Sequence, residues 1–149
     1  ERTNSARICS TVCYTMTTPM HKKRVFKTKT FDRWAKKVIA DALLCKAALE
    51  IERGIFEADL GHGVCKKRIA LAGQGKSGGT RTLVAKQHAS AIIFLVGREK
   101  SEPGTDFSDV VVEAAKTIAS GLNKQPIERL DELAVEGKLK EICNAKEKN

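Results

Sequence analysis

The run IIFLV at residues 92–96 constrains the fold more than any other stretch, because every position in it is apolar. Such a strand presents apolar side chains to both faces of its sheet, which is typical of a central strand. Two further stretches with strand character, 64–71 and 80–86, precede it and are separated by glycine-rich or polar turns. The sequence therefore predicts a three-stranded meander whose last strand, at 90–97, is central.

Apolar residues recur at helical intervals on both sides of this meander. The stretches 31–38 and 41–54 predict two helices that form a hairpin, the first capped by Thr30. A helix with Ser108 as its cap and a short helix beginning at Pro126 are predicted after the meander. Further predictions are a short strand at 24–30 and either an edge strand or a helical turn at 138–142.

The length of 149 residues and the apolar fraction of 42% favour one folded domain. Residues 1–20 are polar and show no periodicity, so they are interpreted as a disordered arm that precedes a single domain over 21–145. No apolar run reaches the roughly 18 residues of a membrane span. Residues 1–19 contain no apolar core of a secretory signal, and we expect a cytoplasmic protein without a membrane partner.

The cysteines are odd in number and include no Cys-x-x-Cys pair. No metal site is predicted, because no His or Cys completes a ligand spacing around the first two. Free thiols in a reducing cytoplasm are the expectation for all five. They are Cys9, Cys13, Cys45, Cys65 and Cys143.

Positive charge is concentrated in the middle of the chain. The formal net charge is +9, to which residues 1–20 contribute +1, residues 21–100 contribute +11 and residues 101–149 contribute −3. This distribution indicates a polyanionic partner, with nucleic acid as the first candidate. An ordinary basic surface is the alternative.

The stretch AGQGKSGGT, residues 72–80, resembles the end of a phosphate-binding loop. That motif requires a glycine five positions before Gly75 and a helix afterwards. Ala70 occupies the first position, and the segment that follows is strand-like. No nucleotide cofactor is therefore expected, and the loop is interpreted as a flexible hairpin connection carrying Lys76.

Cations accompany all three strands of the meander. Because side chains alternate along a strand, Lys66 and Arg68 share one face and Lys67 occupies the other. Arg81 begins the next strand, and Arg98 and Lys100 follow the third. The expected result is a cationic cluster at one rim of the sheet without an acidic partner from its own segments; scattered surface charges are the alternative. His62 and His88 are interpreted as surface residues in turns.

Four segments of the chain carry a recognisable pattern when they are taken together. They are KTKTFDRWAKK, EIERGIFEADLGHGVCKKRIA, GQGKSGGTRTLVA and FLVGREKSE. Together they resemble the RelE/ParE superfamily of toxins from bacterial type II toxin–antitoxin modules. The similarity covers about residues 23–142, and within the superfamily the chain looks like the RelE-type branch, which has a GKSGGYRTL core.

This resemblance implies a small α+β fold, with an N-terminal helical hairpin packed on a small twisted antiparallel sheet and with C-terminal helices. It also implies a metal-independent endoribonuclease that cleaves mRNA on the ribosome by attack of the ribose 2′-hydroxyl, and a cognate antitoxin as partner. No cofactor is implied.

Site roles follow from matching positions to the family pattern. Lys66 and Arg68 match the paired basic residues of the second strand, with Lys66 as candidate base. Arg81 would hold the scissile phosphate. Lys100 would help to protonate the leaving group, and the remaining RNA contacts are assigned to Lys67, Lys76 and Arg98.

Two departures from the family pattern keep a second interpretation open. Thr80 stands where the branch usually has tyrosine, and residues 98–104 differ from the usual segment after the last strand. A missing aromatic weakens base stacking. The alternative is therefore a binding protein of the same fold without ribonuclease activity, either a gyrase inhibitor or a degenerate toxin bound by its antitoxin.

Overall fold

The computed structural model describes residues 23–71, 75–99 and 106–143. The predicted arm at 1–20 and the predicted domain limits at 21 and 145 lie outside these ranges. In chain order the elements are strand β1 (Arg24–Thr28), helices α1 (Lys29–Ala35) and α2 (Asp41–Glu52), strands β2 (Ala58–Gly61), β3 (Val64–Leu71), β4 (Gly75–Ala85) and β5 (Ala91–Glu99), helices α3 (Asp109–Asn123) and α4 (Ile127–Val135), and strand β6 (Leu139–Ile142).

The strands form a six-stranded mixed sheet in the order β2-β3-β4-β5-β1-β6. Strands β2 to β5 are consecutive antiparallel neighbours, which confirms the meander. Strand β1 pairs in parallel with β5 and antiparallel with β6. The α+β class is thus confirmed. The sheet is mixed rather than purely antiparallel, because β1 pairs in parallel with β5. The initial helical hairpin is not confirmed, because a strand comes first in the described residues.

Helices cover both faces of the sheet, because its central strands are apolar on both sides. The alternation along β5 places Ile92 and Phe94 in the core beneath α1 and α2, and Ile93 and Leu95 in the core beneath α3 and α4. All four side chains are almost completely buried, which confirms β5 as a central strand. The end of the sheet beyond these cores is where its polar side chains gather.

The helix termini follow from capping side chains. The Thr28 hydroxyl accepts a hydrogen bond from the Phe31 backbone N at 3.1 Å, so the cap of α1 lies two residues before the predicted Thr30. Ser108 caps α3 as predicted, accepting from the Val111 backbone N at 3.3 Å. Each cap thus sets the residue at which its helix begins.

A disulfide joins Cys45 on α2 to Cys143, which follows β6. The two cysteines are 98 residues apart, with a Cα–Cα distance of 5.6 Å. The expectation of free thiols is wrong for this pair, because only the tertiary fold brings the two residues together. Cys65 is free and buried, and burial raises the pKa of its thiol to about 12. Cys9 and Cys13 lie outside the described residues.

Two close contacts explain local sequence choices. A Cβ atom at Gly97 would lie 2.1 Å from the Trp34 ring, so the glycine allows α1 to pack directly on β5. His88 is 3% exposed, with Nε2 2.7 Å from the Gln125 carbonyl oxygen, while its Nδ1 accepts from the Ser90 backbone N. The interpretation of His88 as a surface residue is therefore wrong, whereas His62 is exposed in the predicted turn.

Candidate nucleic-acid interface

Three arginines stand in one row across three neighbouring strands. Arg68 on β3 lies directly opposite Arg81 on β4, and Arg81 lies directly opposite Arg98 on β5. Side chains at opposed positions of antiparallel strands project from the same face, with Cβ atoms about 5 Å apart. The pairing register therefore gathers three guanidinium groups on the α3/α4 face of the sheet, and we call this set the arginine row.

Lys66 extends this cluster along β3. It is two positions from Arg68 and opposite Leu83, whose side chain belongs to the core beneath α3 and α4. Two-residue spacing keeps Lys66 on the same face as Arg68. The structure thus brings together Lys66, Arg68 and Arg81, as the sequence predicts, and adds Arg98 to them.

Asp106 supplies a carboxylate to this cationic cluster. Its Oδ2 forms an ion pair with Lys66 Nζ, and its Oδ1 accepts a hydrogen bond from the Phe107 backbone N at 2.8 Å. Arg98 Nη1 donates to the Asp106 backbone oxygen at 2.8 Å. Asp106 lies shortly before α3, outside the strand segments to which the sequence prediction of no acidic partner applied.

The protonation of Asp106 follows from these contacts. Partial burial by itself raises the pKa of this carboxyl. The hydrogen bonds from Lys66 and from the Phe107 backbone, together with the charges of Lys66 and Arg81, outweigh that effect. The pKa of Asp106 therefore lies below its ordinary value, and the group is a carboxylate at neutral pH.

Lys67 lies on the opposite face of β3 and is 1% exposed. Its Nζ is 2.6 Å from a Glu50 carboxylate oxygen and donates to the Ile55 carbonyl oxygen at 3.0 Å. The prediction that Lys67 faces away from Lys66 and Arg68 is confirmed. Its assignment as an RNA contact does not fit this position, because the amine is enclosed beneath α2 with its charge neutralised.

Two other assigned cations lie outside the described part of the molecule. The side chain of Lys76 belongs to the first residues of β4, of which only the backbone is described, and Lys100 follows the last described residue of β5. Their assignments as an RNA contact and as a leaving-group donor remain predictions.

The arginine row concentrates three positive charges on one face of the sheet. Like charges at directly opposed positions of a sheet destabilise it. A guanidinium group presents a planar fork of N–H donors that matches a phosphate group in charge and geometry. A phosphodiester placed over the row would therefore relieve the repulsion and receive donors from three strands.

Sequence reasoning missed Asp106 as a member of this site. It lies in the polar stretch SEPGTDFSD, where no periodicity or motif distinguishes it from the neighbouring acidic residues. Its position depends on how the chain returns from β5 to α3. Among the described residues, no group of three His, Cys, Asp or Glu side chains is arranged to hold a metal ion.

Within the described ranges, no helix is both long and apolar enough to cross a membrane. A comparison with protein families matches residues 23–142 to the family described as the RelE toxin of the RelE/RelB toxin–antitoxin system. A comparison with curated proteins finds no match. The matched range extends from β1 to β6 and contains the whole arginine row.

Proposed function

Because this chain belongs to the RelE family of toxins from toxin–antitoxin systems, we propose that it is an endoribonuclease that cleaves messenger RNA on the ribosome without a metal ion. Membership of this family implies an antitoxin as partner. The cytoplasm, where messenger RNA and ribosomes are found, is the proposed site of action, and residues 21–145 are proposed to form the single toxin domain.

The arginine row is the observation that supports this activity. Cleavage by the 2′-hydroxyl passes through a phosphorane that carries more negative charge than the starting phosphodiester. Fixed donors aimed at that developing charge lower the barrier, because they are already oriented when the charge appears. Arg81, in the middle of the row, has a guanidinium neighbour on each side. It is therefore the proposed principal contact of the scissile phosphate.

The reaction also requires a base for the 2′-hydroxyl and an acid for the leaving 5′-oxygen. Lys66 is the titratable cation that the described strands place beside the arginine row, so it takes part in one of these proton transfers. Lys100 remains a proposed donor to the leaving group. Lys76 remains a proposed contact of the RNA backbone.

We propose that the antitoxin inhibits the toxin by covering the arginine row with an acidic or amphipathic segment. An extended or helical peptide that carries carboxylates would neutralise the same guanidinium groups that the phosphate needs. Binding of RNA and of antitoxin would then be mutually exclusive.

The alternative, a function without cleavage, can be examined at the position of the usual tyrosine. Thr80 occupies this position and is fully buried, and its hydroxyl points to the Ile69 carbonyl oxygen at 3.5 Å. It faces away from the arginine row, since neighbouring residues of a strand alternate. A tyrosine at this position would face away from the row as well, so the presence of Thr80 favours neither function.

The test is messenger RNA cleavage in a reconstituted translation system, read by primer extension. We expect the wild-type chain to cleave and Arg81→Ala to lose about 10²–10³ in the cleavage rate, since it removes a donor to the transition state. Arg53→Ala is the matched control, because Arg53 is exposed at the end of α2. Full cleavage by Arg81→Ala would refute the assigned site, and intact message together with inhibited gyrase supercoiling would support the alternative.

A further inference from the structure

Asp106 lies among the cations that the proposed ribonuclease activity assigns to the scissile phosphate. Lys66 from β3 contacts its carboxylate, Arg98 from β5 contacts its backbone oxygen, and Arg81 from β4 is close enough to influence its pKa. A lysine side chain, an arginine side chain and the charge of a third cation act on Asp106 from three neighbouring strands. The Asp106 carboxylate would therefore lie beside a phosphate that these cations bind.

The Asp106 side chain is held in place but remains accessible. The Phe107 backbone N fixes one carboxylate oxygen, and the Phe107 side chain packs against the core beneath α3 and α4. The Asp106 side chain is nevertheless 40% exposed, compared with 16% for Asp32, a structural carboxylate on the other face. A substrate can therefore reach this carboxylate.

We propose that Asp106 is the general base of the reaction and that Lys66 is the acid, an inference that rests on the proposed ribonuclease function. The Asp106 carboxylate takes the proton of the ribose 2′-hydroxyl as the O2′–P bond forms. The P–O5′ bond breaks, and the Lys66 ammonium gives its proton to the departing O5′. The products are a 2′,3′-cyclic phosphate and a 5′-hydroxyl, and no additional reactant is consumed.

The ion pair supports this division of roles over the assignment of Lys66 as base. In the pair, Lys66 carries the proton and Asp106 has the free lone pairs, so each group already holds the form that its step requires. The lowered pKa of Asp106 keeps it ionised throughout the physiological range.

The experiment compares Asp106→Asn with the wild-type chain in single-turnover cleavage of ribosome-bound message. A positioned base contributes about 10²–10⁴ to a rate, so we expect a loss of that size in the cleavage step. Affinity for a message with a 2′-deoxy substitution at the cleavage site should stay the same or increase, because the variant removes a negative charge from a phosphate site. Asp106→Glu should recover part of the rate.

The pH profile provides a second readout that a purely structural role would not change. The pKa of Asp106 is lowered, so its ionised form persists as the pH falls to about 5, and the wild-type rate should not decline in that direction from neutrality. A base that holds its proton at neutral pH would instead give a rate that rises with pH. A rise of that kind in the wild type would overturn the proposal.

The control variant is Asp109→Asn, which alters an exposed carboxylate in the first turn of α3 and should cleave at the wild-type rate. Thermal melting verifies that Asp106→Asn is folded; if it is not, the Asp106→Glu rate and the wild-type pH profile decide. Undiminished or faster cleavage by folded Asp106→Asn would show that Asp106 only shields the cations, and would overturn this inference while leaving the ribonuclease intact. Absence of cleavage by the wild type would overturn both.

Discussion

The two faces of the sheet treat positive charge in opposite ways. Beneath α1 and α2, Lys27 is 2.6 Å from Asp32 and 2.9 Å from Asp41, and Lys67 is 2.6 Å from Glu50. Both lysines are buried and neutralised. On the α3/α4 face, three arginines stand side by side, and Asp106 contacts one edge of their cluster.

We infer from this difference that the α1/α2 face serves the stability of the fold, whereas the α3/α4 face is the candidate binding surface. A buried cation is tolerated when a carboxylate neutralises its charge, and the resulting ion pair is then part of the folded structure. Cations that stand side by side repel one another, and an anionic ligand can offset this repulsion. The adjacent residues Lys67 and Arg68 of β3 illustrate both conditions one position apart.

Loss of the disulfide, which joins α2 to the residue after β6, is expected to have the largest effect on stability. A bridge across about 100 residues stabilises by about 3–4 kcal/mol, mainly by restricting the unfolded chain. Cys45→Ser with Cys143→Ser should lower the free energy of unfolding in urea by this amount, and dithiothreitol should have the same effect on the wild type. If neither change moves the urea midpoint, the two cysteines are free thiols and this contribution to the α1/α2 face is absent.

Lys67→Ala should come next, with a loss of about 2–3 kcal/mol in the free energy of unfolding. Removing one partner of a buried pair leaves the other uncompensated, and partial exposure of Glu50 places the effect toward the low end. Lys46→Ala, an exposed position on the same helix as Glu50, is the control for urea denaturation. Equal stability of the two variants would contradict the distinction between the faces.

Arg68→Ala should have the smallest effect on folding, within about 0.5 kcal/mol, since it removes a half-exposed charge from a repulsive row. Its effect should appear in RNA binding. Loss of one phosphate contact should reduce the slope of log affinity against log salt concentration by about 0.7 for single-stranded RNA. Arg53→Ala should leave that slope unchanged. A large loss of stability without a change in slope would make Arg68 a scaffold residue.

Local periodicity was enough to predict most elements and the faces on which key cations lie. Alternation along β3 separated Lys66 and Arg68 from Lys67, and the apolar run of β5 identified its central position. The strand β2 was not predicted, because its sequence, ADLG, has only four residues and ends in glycine, so it shows no clear alternation of apolar and polar side chains.

Other features depend on contacts between distant parts of the chain. The parallel pairing of β1 with β5 and the Cys45–Cys143 bridge leave no local signal, because each joins segments separated by tens of residues. The lateral register of Arg68, Arg81 and Arg98 depends on the turns and on bulges in both pairings. The position of Asp106 beside these cations could not be predicted from the local sequence. The sequence therefore identified candidate cationic residues, but not their exact arrangement or the carboxylate that pairs with Lys66.

The position of β1 between β5 and β6 has a consequence for the order in which the molecule assembles. Strands β2 to β5 are neighbours both along the chain and in the sheet, so they can form by successive short-range pairings. Strand β1 can make its described parallel pairing only after residues 91–94 have emerged, and its described antiparallel pairing only after residues 139–142 have followed. The arginine row can thus exist in a nascent chain before β6 is available to close the opposite end of the sheet.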